Sequence, residues 1–177
     1  MTTREAAALL RPAVAGREGS WADFGAGSGT FTKALVALLG PQTRVLAVDR
    51  DRGALERLER WARGAAPGVT TVAADFAAPL PSLALFDGML FANSLHFVAP
   101  AAEVLARLSR RLRPGGRVVL IEYDGREPSR WVPYPLPAAR WPELARAASL
   151  VSPTVLSRRP SAYGGDLYVA TADKGES

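Results

Sequence analysis

Apolar residues along this chain follow two spacings, and the change from one to the other separates predicted helices from predicted strands. Phe31, Leu35 and Leu38 recur at helical spacing. The run from Arg44 to Asp49 is too short for a helix and is typical of a buried parallel strand. The same reasoning predicts helices over 4–15, 31–39, 51–64 and 100–112, and strands over 20–24, 44–49, 69–74, 86–92 and 117–121. Because parallel neighbours need right-handed crossover connections, five strands that alternate with helices predict an open parallel α/β sheet.

The last part of the chain breaks this alternation. Residues 125–142 interleave prolines with Trp131 and Tyr134, which predicts an ordered loop lying over another part of the protein. A helix over 138–150 is expected next. The apolar runs 153–157 and 167–170 are joined by a glycine-containing turn and predict an antiparallel hairpin.

The composition favours one domain over residues 1–177, with a short N-terminal helix inside residues 1–18. The absence of cysteine excludes disulfides, thiolate metal sites and a cysteine nucleophile, and a single histidine, His96, excludes a histidine-rich metal site. No apolar run reaches roughly 18 residues, so we expect a cytoplasmic protein without a membrane partner. The net charge is +5, but the tightest basic cluster, at 107–113, favours a solvated helix face over a nucleic-acid site.

The most informative motif is a glycine turn between the first strand and the next helix, WADFGAGSG over residues 21–29. Glycines lack a Cβ, so such a turn brings backbone amides close to a ligand. A dinucleotide fingerprint would place its third glycine where this chain has Thr30. Asp23 would repel a pyrophosphate but favour a ligand that carries a positively charged amino group.

With this turn, the chain resembles the small class I S-adenosylmethionine-dependent methyltransferases over almost all of its length. The resemblance implies that the glycine turn passes beneath the methionine moiety, with Asp23 facing its ammonium group through water. It implies that Asp49 accepts hydrogen bonds from the ribose hydroxyls and Asp75 accepts one from the adenine amino group. The implied residues for S-adenosylmethionine, and for its product S-adenosylhomocysteine, are Asp23, Gly25, Ala26, Gly27, Gly29, Asp49, Arg50, Asp75, Phe76 and Asn93.

Two later motifs extend the resemblance. The stretch from Phe86 to His96 resembles the fourth-strand motif of the ubiquinone-biosynthesis-like branch, methyltransferase type 11. Residues 112–117, LRPGGR, resemble the turn before that family's fifth strand. The family implies a Rossmann-like sheet of seven strands in the order 3-2-1-4-5-7-6, with strand 7 antiparallel and helices on both faces.

Each acidic residue also has a structural explanation. Asp49 could cap a helix, although Asp51 is better placed to do so. Asp75 could be a turn residue, and Asp23 could be only a local acceptor in its own turn. Asp87 opens the fourth strand at the end away from the expected ligand edge, so we expect a structural role for it.

Methyl transfer is an in-line displacement that needs alignment above all, and it needs a base only when the acceptor must lose a proton. His96 and Tyr123 follow the ligand-facing ends of the fourth and fifth strands and are the catalytic candidates. Trp131 and Tyr134, in the proline-rich loop 125–142, are candidates for an apolar acceptor pocket. Packing of that loop against the sheet edge is the alternative.

The expected partner is a small-molecule acceptor methylated on O, N or C. An RNA methyltransferase and a non-catalytic S-adenosylmethionine-binding protein remain alternatives, with nucleic acid less favoured. A nicotinamide oxidoreductase of the short-chain type would need Tyr-x-x-x-Lys, and neither Lys33 nor Lys174 has a tyrosine four residues earlier. Because the segment before the first strand is short, a second copy of the chain could also cover the site, which would make the protein a homodimer.

Overall fold

A computed structural model of the chain describes residues 1–40, 42–80, 83–162 and 164–176. Its centre is a seven-stranded sheet flanked by helices. The helices are α1 Thr3–Val14, α2 Thr30–Leu39, α3 Arg52–Ala65, α4 Ala101–Ser109 and α5 Trp141–Ala147. The strands are β1 Ser20–Phe24, β2 Arg44–Asp49, β3 Val69–Ala73, β4 Phe86–Ala92, β5 Leu112–Asp124, β6 Leu150–Pro160 and β7 Asp166–Lys174. Short 3₁₀ turns occupy Leu95–Phe97 and Ala138–Arg140.

The sheet has the strand order β3-β2-β1-β4-β5-β7-β6. Strands β1 to β5 pair in parallel, and β7 runs antiparallel to both β5 and β6. The predicted order and the antiparallel seventh strand are confirmed. The strand order reverses direction between β1 and β4, at the centre of the sheet. Ligands of open α/β sheets bind in the crevice at the carboxyl ends of two such strands.

Helices cover both faces of the sheet, as predicted, and each face has its own apolar core. On one face, side chains of α1, α2 and α3, such as Leu10, Leu35 and Leu58, pack against Trp21 and Val119. On the other face, side chains of α4 and α5 pack against Phe91 and its strand neighbours. Because both faces are covered, the central strands are apolar almost throughout.

Local sequence signals set the ends of several helices. The Thr2 side chain accepts a hydrogen bond from the Glu5 amide, and the Glu5 carboxylate accepts one from the Thr2 amide, which is a capping box. Asp51 caps α3 by accepting from the Ala54 amide at 3.0 Å. The expectation that Asp51, and not Asp49, caps this helix is therefore confirmed.

The fifth strand starts earlier than predicted, and the helix before it is shorter. The prediction of a helix over 100–112 is wrong at its end, because α4 stops at Ser109 and β5 already begins at Leu112. Phe86 pairs with Leu112 and Gly88 with Arg117, so the LRPGGR segment forms a bulge inside the strand and not a turn before it. Asp87 holds this bulge by accepting from Arg113 at 3.0 Å and from the Ser20 amide at 2.7 Å.

The predicted helix over 138–150 is also too long. A 3₁₀ turn covers the first residues, α5 covers Trp141–Ala147, and residue 150 is already in β6. Ser149 has a φ of 57°, a left-handed conformation that stops the helix. Pairing with β7 then extends β6 beyond the predicted 153–157, from Leu150 opposite Lys174 to Pro160 opposite Asp166.

The replacement Gly88→Ala should lower stability by about 1–3 kcal/mol, the usual cost of overpacking a core. A Cβ at Gly88 would lie 2.5 Å from three ring atoms of Trp21, a fully buried residue on the neighbouring strand. Thermal unfolding followed by circular dichroism should show the loss as a lower Tm.

Gly64→Ala is the matched control, because a Cβ at Gly64 meets no atom within 4 Å and the residue lies in α3. This change should leave stability equal or raise it by up to about 1 kcal/mol. A Gly88→Ala protein with the wild-type Tm would contradict the packing described for β1 and β4.

Candidate active site

The site is a cavity of about 340 Å³ at the carboxyl ends of the central parallel strands. Its walls come from the loops that follow β1, β2, β3 and β4. A cavity of this size lies within the range that small ligands and cofactors occupy. The lining residues are Gly25, Asp49, Arg50, Asp51, Ala74, Asp75, Phe76, Ala77, Asn93, Ser94, Phe97 and Val98.

The glycine turn contributes Gly25 to the cavity wall, whereas Ala26, Gly27 and Gly29 do not line it, and the turn is hydrogen-bonded to the end of β2. The amides of Gly25 and Ala26 donate to the Val48 carbonyl at 2.8 and 3.1 Å. Gly25 has a φ of +84°, and a Cβ there would overlap the side chain of Ser94. Glycine is therefore required at this position both for backbone conformation and for space.

Gly27 and Gly29, the other glycines of the turn, have different structural roles. The Gly27 amide donates to Asp49, whereas Gly29 is buried and a Cβ there would overlap Leu58 of α3. Gly29 thus permits close packing of the turn against a helix. Its φ of +85° marks the residue just before α2.

Asp49 has both carboxylate oxygens oriented by backbone amides. Oδ2 accepts from Gly27 at 2.7 Å and Oδ1 accepts from Asp51 at 2.8 Å. Each oxygen of an ionised carboxylate has two acceptor sites, so one on each remains for a ligand. A side chain held in this way suits a pair of neighbouring hydroxyl donors.

Asp75 begins a tight turn and also lines the cavity. Its Oδ1 accepts from the Ala77 amide at 2.8 Å, so the turn role is present alongside the exposed carboxylate edge. Phe76 is buried and packs against Phe24 and Phe91, with ring centroids 5.9 and 6.0 Å apart respectively. This aromatic contact fixes the loop that carries Asp75.

Arg107 is a positioning residue that the sequence analysis assigned to a solvated face. Its Nη2 donates to the carbonyls of Phe76 and Ala77 at 2.8 and 2.9 Å, so α4 holds the loop of Asp75 from outside. No local pattern distinguishes Arg107 from its neighbours Arg110 and Arg111, because the contact joins residues about 30 positions apart.

Asp23 is buried beneath the glycine turn. Thr32 of α2 donates to its Oδ2 at 2.6 Å, whereas Oδ1 has no hydrogen-bond partner. Burial raises the pKa of Asp23 to about 7, the charge of Asp49 adds to that rise, and the Thr32 hydroxyl opposes it. Asp23 does not line the cavity itself, which agrees with an influence on a ligand through water.

Asn93 provides a second acceptor without a partner. It follows β4 with a φ of 53°, and its Oδ1 is buried. Within the described ranges, Asp23 Oδ1 and Asn93 Oδ1 are the two buried side-chain polar atoms that lack a hydrogen bond. Buried acceptors normally have donors, so an amino group in the cavity fits the residues present.

His96 and Glu122 form a buried pair beside the cavity. The distance from His96 Nδ1 to Glu122 Oε2 is 2.6 Å, and the His96 amide donates to Oε1 at 3.1 Å. The two side chains are only 2% and 1% exposed. His96 was predicted from the sequence and Glu122 was not, although Glu122 is a single carboxylate directly after the apolar run 118–121.

Of the remaining predicted residues, Tyr123 and Tyr134 contact His96, whereas Trp131 does not line the cavity. The ring of Tyr123 lies 6.0 Å from that of His96, and the guanidinium of Arg126 stands over Tyr123 at 5.3 Å. The Tyr134 amide donates to the His96 carbonyl at 3.0 Å, which ties the proline-rich loop to the site. Trp131 is 64% exposed and contacts Arg130 by a cation–π interaction.

Two kinds of feature are absent from the described residues. In that part of the chain, no group of three or more histidine, aspartate or glutamate side chains is arranged to hold a metal ion. None of the helices described above has the length and apolarity needed to span a bilayer.

Known proteins share both sequence and fold with this chain. A family model described as a methyltransferase domain matches residues 22–118. A protein of Streptomyces fradiae, described as an uncharacterized 37.1 kDa protein in transposon Tn4556, is 33% identical over 106 residues. That match covers 58% of this chain and 29% of the relative, so this chain spans less than a third of the relative's length.

Solved structures agree on the fold. The CurJ carbon methyltransferase superposes with a TM-score of 0.79 at 18% identity, over 98% of this chain and 54% of that chain. CrArsM, an arsenic(III) S-adenosylmethionine methyltransferase from Chlamydomonas reinhardtii, has a TM-score of 0.71 at 21% identity, over 98% and 73%. Since the family model covers more than half of the chain, the chain belongs to the methyltransferase domain family, and its strand order is the one expected for the class I S-adenosylmethionine-dependent members.

Proposed function

We propose that this protein transfers the methyl group of S-adenosylmethionine to an O, N or C atom of a small molecule, with His96 as the general base. One observation carries the proposal. The segment after β4 lines the cavity with Asn93, Ser94 and Phe97, and the same segment carries His96, whose ring is held by Glu122 of β5. One wall of the donor cavity and the base are thus parts of one short stretch of backbone.

The cofactor residues have distinct tasks in this proposal. Asp49 accepts from the two ribose hydroxyls with the lone pairs that its backbone partners leave unused. Asp75 and the Phe76 amide bind the adenine, and Arg50 lies beside them in the lining. The glycine turn and Asn93 receive the methionine end, where Asn93 Oδ1 and Asp23 Oδ1 lack donors.

Bound S-adenosylmethionine supplies a sulfonium-activated methyl group and leaves as the neutral thioether S-adenosylhomocysteine when the acceptor takes that methyl. His96 accepts the proton that the acceptor gives up. Because Glu122 engages Nδ1, the proton on that nitrogen points at the carboxylate and the lone pair is on Nε2. Glu122 acts through His96 by fixing this tautomer and by stabilising the imidazolium that forms.

The composition of the chain and the aromatic rim of the site restrict the classes of methyl acceptor. It has no cysteine, which argues against thiolate binding of arsenic and against a cysteine nucleophile for ring carbons. The rim of the site carries exposed aromatic side chains, Phe97 and Tyr134, which favour an acceptor with apolar surface over a strongly charged polymer.

Asp49→Asn should weaken S-adenosylhomocysteine binding by at least tenfold, because an amide offers one acceptor where the carboxylate offers two. Calorimetric titration of the wild type should show binding of S-adenosylmethionine and S-adenosylhomocysteine and none of NAD. Asp87→Asn, the same change at the opposite edge of the sheet, should leave the affinity unaltered. Tight NAD binding without the other two would overturn the proposed function.

S-adenosylhomocysteine affinity should fall below about pH 7 as Asp23 becomes protonated. Its pKa is raised to about 7, so the ionised form that attracts an ammonium group is present above that pH and is lost as the pH decreases. We expect about tenfold weaker binding at pH 6 than at pH 8. Calorimetry in two buffers of different ionisation enthalpy should detect proton release on binding near pH 6.5.

Asp23→Asn should bind more weakly and without this pH dependence. Asp75→Asn, which also removes a carboxylate from the site, should keep it. A wild-type affinity that is constant between pH 5.5 and 8.5 would contradict the coupling to Asp23.

Once an acceptor is identified by screening, His96→Gln should lower kcat by about 10²–10⁴ with little change in S-adenosylhomocysteine affinity. Glu122→Gln should also lower kcat and should change the pH–rate profile, because the tautomer of His96 is no longer fixed. A merely structural Glu122 would change Tm and leave the pH–rate profile in place. Wild-type kcat in His96→Gln would exclude the base role.

A further inference from the structure

A second chamber, of about 410 Å³, adjoins the cofactor cavity. Val98 lines both spaces, so the two meet at the segment that carries this residue. That segment follows His96, whose carbonyl accepts a hydrogen bond from Tyr134 in the opposite wall of the chamber. The chamber is therefore fixed directly to the residues proposed for catalysis.

The walls of the chamber are apolar and stiff. One wall is the connection between β4 and α4 with the first turn of that helix, and the other is the proline-rich loop with the start of α5. Proline rings fix φ and limit rearrangement, so this shape is largely formed before any ligand arrives. The lining residues are Val98, Ala99, Pro100, Ala101, Ala102, Pro128, Pro133, Tyr134, Pro135, Leu136, Arg140 and Leu144.

Arg140 supplies the charge of this lining. Its guanidinium forms no hydrogen bond or ion pair with any residue in the described ranges, including the carboxylates nearest in sequence, Glu127 and Glu143. Arg158 is paired with Asp124, and Arg146 donates to the Pro142 carbonyl. Arg140 therefore remains available for an anion from outside the chain.

We propose that this chamber binds the methyl acceptor, and that the acceptor is an apolar ring compound with an acidic group that pairs with Arg140. The apolar walls bury the ring system, and the guanidinium binds a carboxylate or similar planar anion through two parallel hydrogen bonds. This inference rests on the proposed function, because it assigns the acceptor class for the same methyl transfer.

The test uses 2-naphthoate as the probe and its neutral counterpart 2-naphthylmethanol, with the protein saturated with S-adenosylhomocysteine so that the cofactor cavity is filled. Ligand-observed NMR titration should give millimolar or tighter binding of 2-naphthoate, about three- to tenfold tighter than the alcohol. Arg140→Gln should remove that difference and leave binding of the alcohol unchanged. Arg146→Gln, an exposed arginine in the same helix region, is the matched control and should change neither probe.

Ala102→Phe, which puts a ring into the chamber, should weaken both probes at least tenfold, and Ala101→Leu provides a second filling variant should the first fold poorly. The affinity for S-adenosylhomocysteine is measured first in every variant. If it binds and 2-naphthoate does not bind, or binds equally well to the filled variants or to Arg140→Gln, the chamber assignment fails while the proposed function stands. If S-adenosylhomocysteine itself does not bind, the proposed function fails.

Discussion

The attachment of the glycine turn to the end of β2 is the constraint on which the rest of the site depends. The amides of Gly25 and Ala26 donate to the Val48 carbonyl, and the Gly27 amide donates to the Asp49 carboxylate. These bonds join two neighbouring parallel strands just beyond their last paired residues. They orient Asp49 and hold the glycine turn at the same time, so the direction of the Asp49 carboxylate and the shape of the turn cannot vary independently.

Beneath that turn lies a buried carboxyl group, that of Asp23, whose incomplete hydrogen bonding lowers the stability of the fold. The carboxyl of Asp23 is buried with one hydrogen bond, from Thr32, and its second oxygen has none. An unpaired buried acceptor typically costs about 1–3 kcal/mol. Burial raises the pKa of Asp23 because it penalises the ionised carboxylate, and the Thr32 hydroxyl opposes that rise only in part.

The proline-rich loop is held on the sheet by hydrogen bonds to β7 and to the segment after β4. The Tyr168 hydroxyl of β7 donates to the Leu136 carbonyl at 2.7 Å, and the Trp141 indole donates to the Thr171 carbonyl at 3.0 Å. Burial raises the pKa of Tyr168, so it stays a donor. Together with the bond from Tyr134 to His96, these contacts make the loop a fixed wall, which gives the second chamber its defined shape.

The resemblance to class I methyltransferases implied the strand order. Periodicity, turn residues and the positions of the acidic residues after predicted strands determined the α/β alternation and the sheet edge at which these residues gather. These features depend on local spacing and on the rule that parallel strands share a carboxyl edge. The bulge of β5 and the early end of α5 depended on pairing with strands that local sequence does not reveal. Only the tertiary structure brought Glu122 to His96 and Arg107 to the Phe76 loop, because these pairs are 26 and 31 residues apart and meet through the packing of neighbouring elements.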